Sequence, residues 1–250
     1  MKKISELAQL FAEYKIYPKS CYNDYSPVKA FQRMFPENYY SKDLETFLSY
    51  QNYKPTQRGA DLPWWGEKFF TEEIGFRISI ISQDSLYKDA GSIVLAAHLF
   101  PFVNNPVQYQ QFVDEMGVKK YFSFSRYKRV EDQLTKWGID FNFLYITDAS
   151  KVYKEGSWKD RDFDREKSKK LLEVEIEFCE PNLIILLGTP ALRLLDKNKN
   201  YGEIVESREN IFIKGVECVV SPFFIGNGLA QPNFKKRLEM ATNLIKEALK

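Results

Sequence analysis

Pro181-Asn-Leu-Ile-Ile-Leu-Leu-Gly-Thr-Pro-Ala191 joins a short apolar run to a helix start. Leu183 to Leu187 is bounded by turn residues, which reads as a strand buried on both faces. Thr189 is a capping residue type, and Pro190 suits the first helical position, where a missing N–H does no harm. Three other stretches share this design. Ile78-Ser-Ile-Ile81 leads into Ser82-Gln-Asp84, and Phe143-Leu-Tyr-Ile146 leads into Thr147-Asp148-Ala-Ser-Lys151. Val216-Glu-Cys-Val-Val220 leads into Ser221-Pro-Phe-Phe224. Helical patterns separate the runs, so the expected fold is a three-layer α/β/α arrangement around a central four-stranded, mainly parallel sheet. Ligands of open α/β sheets bind beyond the carboxyl ends of the strands. The four polar clusters are therefore expected to share one crevice.

Upstream, Ile4, Leu7, Phe11 and Tyr14 recur at helical spacing. Residues 18–73 then mix Pro, Gly, Tyr and Trp with no sustained period and end at Pro63-Trp-Trp-Gly66. Residues 1–74 are read as an aromatic-rich, helical and irregular N-terminal extension packed on an α/β domain over residues 75–250. Within that domain, Val107 to Met116 and Arg126 to Trp137 carry helical patterns stopped by Gly117 and Gly138. Residues 154–170 are dense in both charge signs, as in a solvated loop and helix start. Leu171, Val174 and Phe178 then supply an apolar helix face that Pro181 terminates. The last helix is expected from about Pro232, with Phe234, Leu238, Ala241, Ile245 and Ala248 as its stripe.

Composition narrows the chemistry. With 250 residues, 44% hydrophobic and 28% charged, the chain is an ordinary globular sequence. A formal net charge of +2 supplies no overall field, so a nucleic-acid contact would need a local basic face. One such stretch interleaves Lys119, Lys120, Arg126, Lys128 and Arg129 with Tyr121, Phe122 and Tyr127; its other reading is a solvated helix face. The 20 Phe, 15 Tyr and 4 Trp suit either core packing or stacking on bases. Cys21, Cys179 and Cys218 form no CxxC pair, so neither a zinc site nor a four-cysteine iron–sulfur cluster is expected. Cys179 and Cys218 stand in apolar contexts as buried thiols. No P-loop, dinucleotide fingerprint or GxSxG elbow occurs, and no cofactor is expected. Without an apolar leader or a long apolar run, the expectation is a cytoplasmic protein with no membrane contact.

The strand-end residues carry the candidate chemistry. Asp84 and Asp148 stand just past the first and second strands, where a carboxylate either caps a turn or orients water and stabilises a developing cation. Lys151 is a neutralising partner for Asp148, or one half of a weak surface pair.

The ordered set resembles the uracil-DNA glycosylase superfamily over roughly residues 75–250. Ser82-Gln-Asp-Ser-Leu86 matches the family's Gly-Gln-Asp-Pro-Tyr motif at Gln83 and Asp84, with Ser85 where Pro is usual. Leu183 to Ala191 matches its apolar run into Leu-Gly-x-x-Ala. Ser221-Pro-Phe-Phe224 keeps the Pro of the family's His-Pro-Ser loop and lacks the His. Asp148 stands where the family has a base-reading Asn. The resemblance implies a metal-independent enzyme that extrudes a nucleotide and hydrolyses its N-glycosidic bond. Asp84 and Gln83 would then be catalytic, with Asp148, Tyr87, Phe100 and Ser221 on the base. Lys151, Pro222, Phe223 and Asn227 would lie against the DNA. Phe102 is an alternative stacking residue, His98 is either a packing residue or a catalyst, and Phe223 with Phe224 occupy the position of a base-displacing wedge.

The departures change what the site reads. An ionised carboxylate only accepts hydrogen bonds, so Asp148 would reject the O4 carbonyl of uracil and accept from an exocyclic amine. The expected partner is DNA, with RNA or a nucleoside as the other candidates. The leading expectation is a divergent DNA glycosylase acting on a flipped damaged or deaminated base. The alternatives are a catalytically inactive nucleic-acid-binding protein on the same fold and a hydrolase of free nucleosides.

Overall fold

In the computed structural model the described residues are 63–83, 124–149, 165–207 and 211–250, together with Lys3, Glu6, Leu7, Ile93, Ala97 and Val107. Side chains of residues 124–127, 167, 226 and 227 lie outside this description.

The chain is mixed α/β, built on a six-stranded mixed sheet of order β1-β3-β2-β4-β6-β5. The strands are β1 (Trp64–Trp65), β2 (Ile78–Ser82), β3 (Leu144–Asp148), β4 (Leu183–Leu187), β5 (Ile211–Ile213) and β6 (Val216–Ser221). β2 runs parallel to both β3 and β4, and β4 runs parallel to β6. β1 joins β3 antiparallel at one edge, and β5 joins β6 antiparallel at the other. The sequence reading supplied four strands, and both edges are additions to it. Each edge strand is too short to show a period of its own. β5 is fixed by its hairpin: Lys214 and Gly215 both take positive φ, at 52° and 80°. Two such residues give a turn whose twist matches that of the flanking strands.

Residues pointing to one side of the strands fill one core, and their neighbours fill another. Ile78, Ile80, Leu144, Ile146, Leu183, Ile185, Leu187 and Val219 share a cluster with Trp137 of α1 (Phe124–Trp137) and with Ala241 and Ile245 of α5 (Phe234–Ala248). On the other side, Ile81, Ile184, Leu186, Cys218 and Val220 pack with α2 (Arg165–Cys179), α3 (Gly188–Leu195) and α4 (Tyr201–Ser207). All five side chains of β4 are buried, as an apolar run with a core on each face requires.

The expected α5 stripe holds. Ala241 and Ile245 are buried, and Phe234, Leu238 and Ala248 pack against the same cluster. Helix α1 starts two residues before the expected Arg126 and ends at Trp137, ahead of Gly138. Leu7 is helical and buried, whereas the other residues of the N-terminal pattern lie outside the description. Val107 is helical and exposed; the rest of its pattern lies outside as well. The expected cap by Thr189 is replaced. Leu187 occupies the capping position without a side-chain hydrogen bond, and Thr189 and Pro190 lie inside the first turn of α3. Pro190 remains harmless there because the first four helical N–H groups have no partner within the helix. Gly188 takes φ of 79°, a turn that lets β4 pass directly into α3.

The aromatic residues near Trp64 resolve as packing. Trp64, Trp65 and Phe69 are buried, and Phe69, Phe70, Tyr145 and Phe178 form a chain of ring contacts with centroids 4.9–6.0 Å apart. Cys179 and Cys218 are buried thiols outside any disulfide, as expected. Among the described residues no helix is long and apolar enough to cross a membrane.

Candidate functional site

Strand register builds the site. Ser82 pairs with Asp148, Ile81 with Leu186, and Leu187 with Ser221. The last residues of four adjoining parallel strands therefore form one row: Asp148, Ser82, Leu187 and Ser221. Alternation places this row on the side of the sheet covered by α1 and α5, where Leu187 joins the core cluster. Polar residues are thus set at the carboxyl end of an otherwise apolar face. Asp148 is 2% exposed, and Ser82 and Ser221 are fully buried.

The hydroxyls differ in their use. Ser221 Oγ donates to the carbonyl of Pro222 at 3.1 Å. The Ser82 hydroxyl has no hydrogen-bond partner. A buried hydroxyl in that state carries a desolvation cost of about 1–3 kcal/mol, which a ligand or an ordered water would offset. Sequence reasoning gave Ser82 no role. Its signal was positional, since Ser82 and Ser221 are both strand-terminal serines, but only the pairing register puts Ser82 beside Asp148.

Of the other expected residues, Gln83 is half-buried directly after β2, and Pro222 is buried after β6. Phe223 is partly buried against the core and is the first residue of its loop to reach the surface. Phe224 is not available as a wedge. It is 1% exposed and meets Trp137 edge to face at 5.4 Å, because the chain turns inward after Phe223. Asn227 lies in a 3-10 helix over Gly226–Ala230, its side chain outside the description. Asp84, Tyr87, Phe100, Phe102, His98 and Lys151 also lie outside the described residues. In the basic and aromatic stretch, Lys128 forms ion pairs with Glu131 and Asp132, the behaviour of a solvated helix face.

The loop after β6 is held by residues the sequence did not single out. A Cβ on Gly228 would stand 1.9 Å from the Phe223 carbonyl oxygen, so this close approach requires glycine. Gln231 Nε2 donates to the carbonyls of Gly228 at 2.7 Å and Phe223 at 3.4 Å. Its Oε1 accepts from the Tyr201 hydroxyl at 2.8 Å. Burial pushes the Tyr201 hydroxyl up to about 12, against the opposing effect of Arg237, so it stays protonated and donating. The Arg237 guanidinium lies 5.5 Å from the Tyr201 ring centre and pairs with Glu206 at 2.7 Å. Residues from α4 and α5 thereby fix the segment that carries Phe223.

On the opposite side of the sheet, the Tyr145 hydroxyl donates to the buried carboxylate of Glu175. Tyr145 is the second residue of β3, three residues before Asp148 and on the other face of the strand. Among the described residues no group of three or more His, Cys, Asp or Glu side chains is placed to hold a metal ion. No family model and no curated protein matches the chain.

Proposed function

We propose that the chain is a divergent DNA glycosylase-like protein with a three-layer α/β/α fold, which receives an extruded base at the carboxyl ends of β2, β3 and β6. One observation carries this reading: Asp148 and Ser82 are register partners, buried side by side on one face. Adjacent strands lie about 4.8 Å apart, within the span of one base edge. Asp148 supplies an acceptor and Ser82 a hydroxyl that donates or accepts. Together they offer the mixed edge that a single amide supplies elsewhere. The acceptor suits an exocyclic amine, so an amino-bearing base fits better than uracil. Asp84 would position water or stabilise the cationic sugar, with Gln83 beside it, and Phe223 would meet the strand.

The test is base release from a panel of duplex and single-stranded oligonucleotides carrying uracil, hypoxanthine, xanthine and amino-bearing lesions. Release by the wild type, abolished in a folded Asp84→Asn variant, supports the assignment. No release from any substrate overturns the enzymatic reading.

Ser221 favours a second reading. Its hydroxyl proton is already committed to Pro222, so it presents an acceptor where catalysis needs a donor toward the departing base. Binding of an extruded base without hydrolysis is consistent with that geometry. Salt-dependent oligonucleotide binding with no product would identify it.

A further inference from the structure

A second site lies on the other side of the sheet, in a cleft of about 580 Å³ between α2 and α3. That volume falls within the range of small-ligand sites, roughly 300–1,000 Å³. Arg165 and Lys169 of α2 line it, together with Arg193 of α3 and Lys197 in the turn that follows. Leu194 and Leu195 also line it and are themselves mostly buried in the core.

One feature of the charge placement is unfavourable in itself. Arg165 opens α2 and Lys169 follows one turn later, at the helix end where the macrodipole disfavours cations. Arg193 is in the last turn of α3, where the dipole alone would favour it. That role does not require cations from a second helix to line the same cleft. Glu166 and Asp196 line the cleft as well, and Asp196 already accepts from the backbone N–H of Asn198 at 3.0 Å. Lys169 has a long contact with Glu173, 3.8 Å, while Arg193 and Lys197 are exposed. The cluster is local, because the whole chain carries a formal net charge of only +2.

We infer that this cleft binds a phosphate group, carried by a nucleic-acid strand or by a free nucleotide. Arginine grips phosphate oxygens through two parallel N–H donors, and lysine adds a mobile point charge. The inference rests on charge and shape on the α2–α3 side and does not depend on base excision at the strand-end row.

The experiment measures fluorescence anisotropy of a labelled single-stranded oligonucleotide over a salt series, with competition by a nucleoside monophosphate and by inorganic phosphate. The wild type is compared with Arg193→Gln/Lys197→Gln. The control is Lys235→Gln/Lys246→Gln on α5, across the sheet, and thermal melting checks that every variant folds. The cleft variant is expected to bind about tenfold more weakly, and its slope of log affinity against log salt should shrink by about 1.4, the value for two lost phosphate contacts on a single strand. Displacement by mononucleotide at comparable concentration assigns the site to a free phosphorylated ligand; resistance to it assigns the site to a strand. Equal binding by wild type and cleft variant, an equal loss in the α5 control, or no binding of any probe overturns the inference. Base release with no cleft effect would reject the cleft alone. A cleft effect without base release would reject only the enzymatic reading.

Discussion

Asp148 is 2% exposed and Ser82 is fully buried, and under the proposed function both face the edge of an extruded base. Asp148→Asn exchanges an acceptor for an amide that both donates and accepts. Any base release should therefore shift toward uracil, measured as the ratio of uracil to amino-bearing base released under single-turnover conditions. Tyr145 and Glu175 make a purely structural prediction. Tyr145→Phe removes a donor from a buried carboxylate and should cost about 1–3 kcal/mol in urea unfolding, with no change in oligonucleotide binding. Cys218 predicts a pH dependence. Burial pushes its thiol from 9.0 up to about 12. Between these values the unfolded chain loses the proton while the folded chain keeps it, so the unfolded state binds fewer protons and stability falls as pH rises. This contribution is intact below about pH 9 and lost by about pH 12. Cys218→Val should flatten the decline in unfolding free energy over that window.

Among the elements, the long periodic ones were legible and the short ones were not. Helix α5 could be read because Ala241 and Ile245 recur at the spacing that buries one face, and β4 because five successive apolar residues end at a glycine. β1 escaped because a strand of two residues acquires its identity from a partner distant in sequence, as Trp64 pairs with Ile146, and β5 escaped because three residues beside a tight turn show no period. Site residues divide in the same way. Asp148, Gln83 and Ser221 announced themselves by following apolar runs. Ser82, Tyr201 and Gln231 depend on register and tertiary contact, to which local sequence is blind. The loop clamp belongs to this scale. Gly228→Ala would drive a methyl group into the Phe223 carbonyl, and Gln231→Leu would remove three hydrogen bonds. Both variants should loosen the loop more than the whole protein. Faster amide exchange near Phe223, with an unfolding midpoint close to that of wild type, is the expected result for Gln231→Leu.

At the scale of the whole molecule, the sheet separates the two proposed sites. The strand-end row opens on the side covered by α1 and α5, and the cationic cleft lies on the side of α2 and α3. With so small a net charge, the nucleic-acid binding proposed above would have to come from such local clusters, and it would fade steeply with salt. The central claim is that the carboxyl-end row receives an extruded base through Asp148 and Ser82. Single-turnover base release from the lesion panel, by wild type and Asp148→Asn side by side, tests it most directly. The account predicts that wild type releases an amino-bearing base in preference to uracil and that the variant reverses the order. An unchanged base preference in a folded Asp148→Asn variant would contradict it.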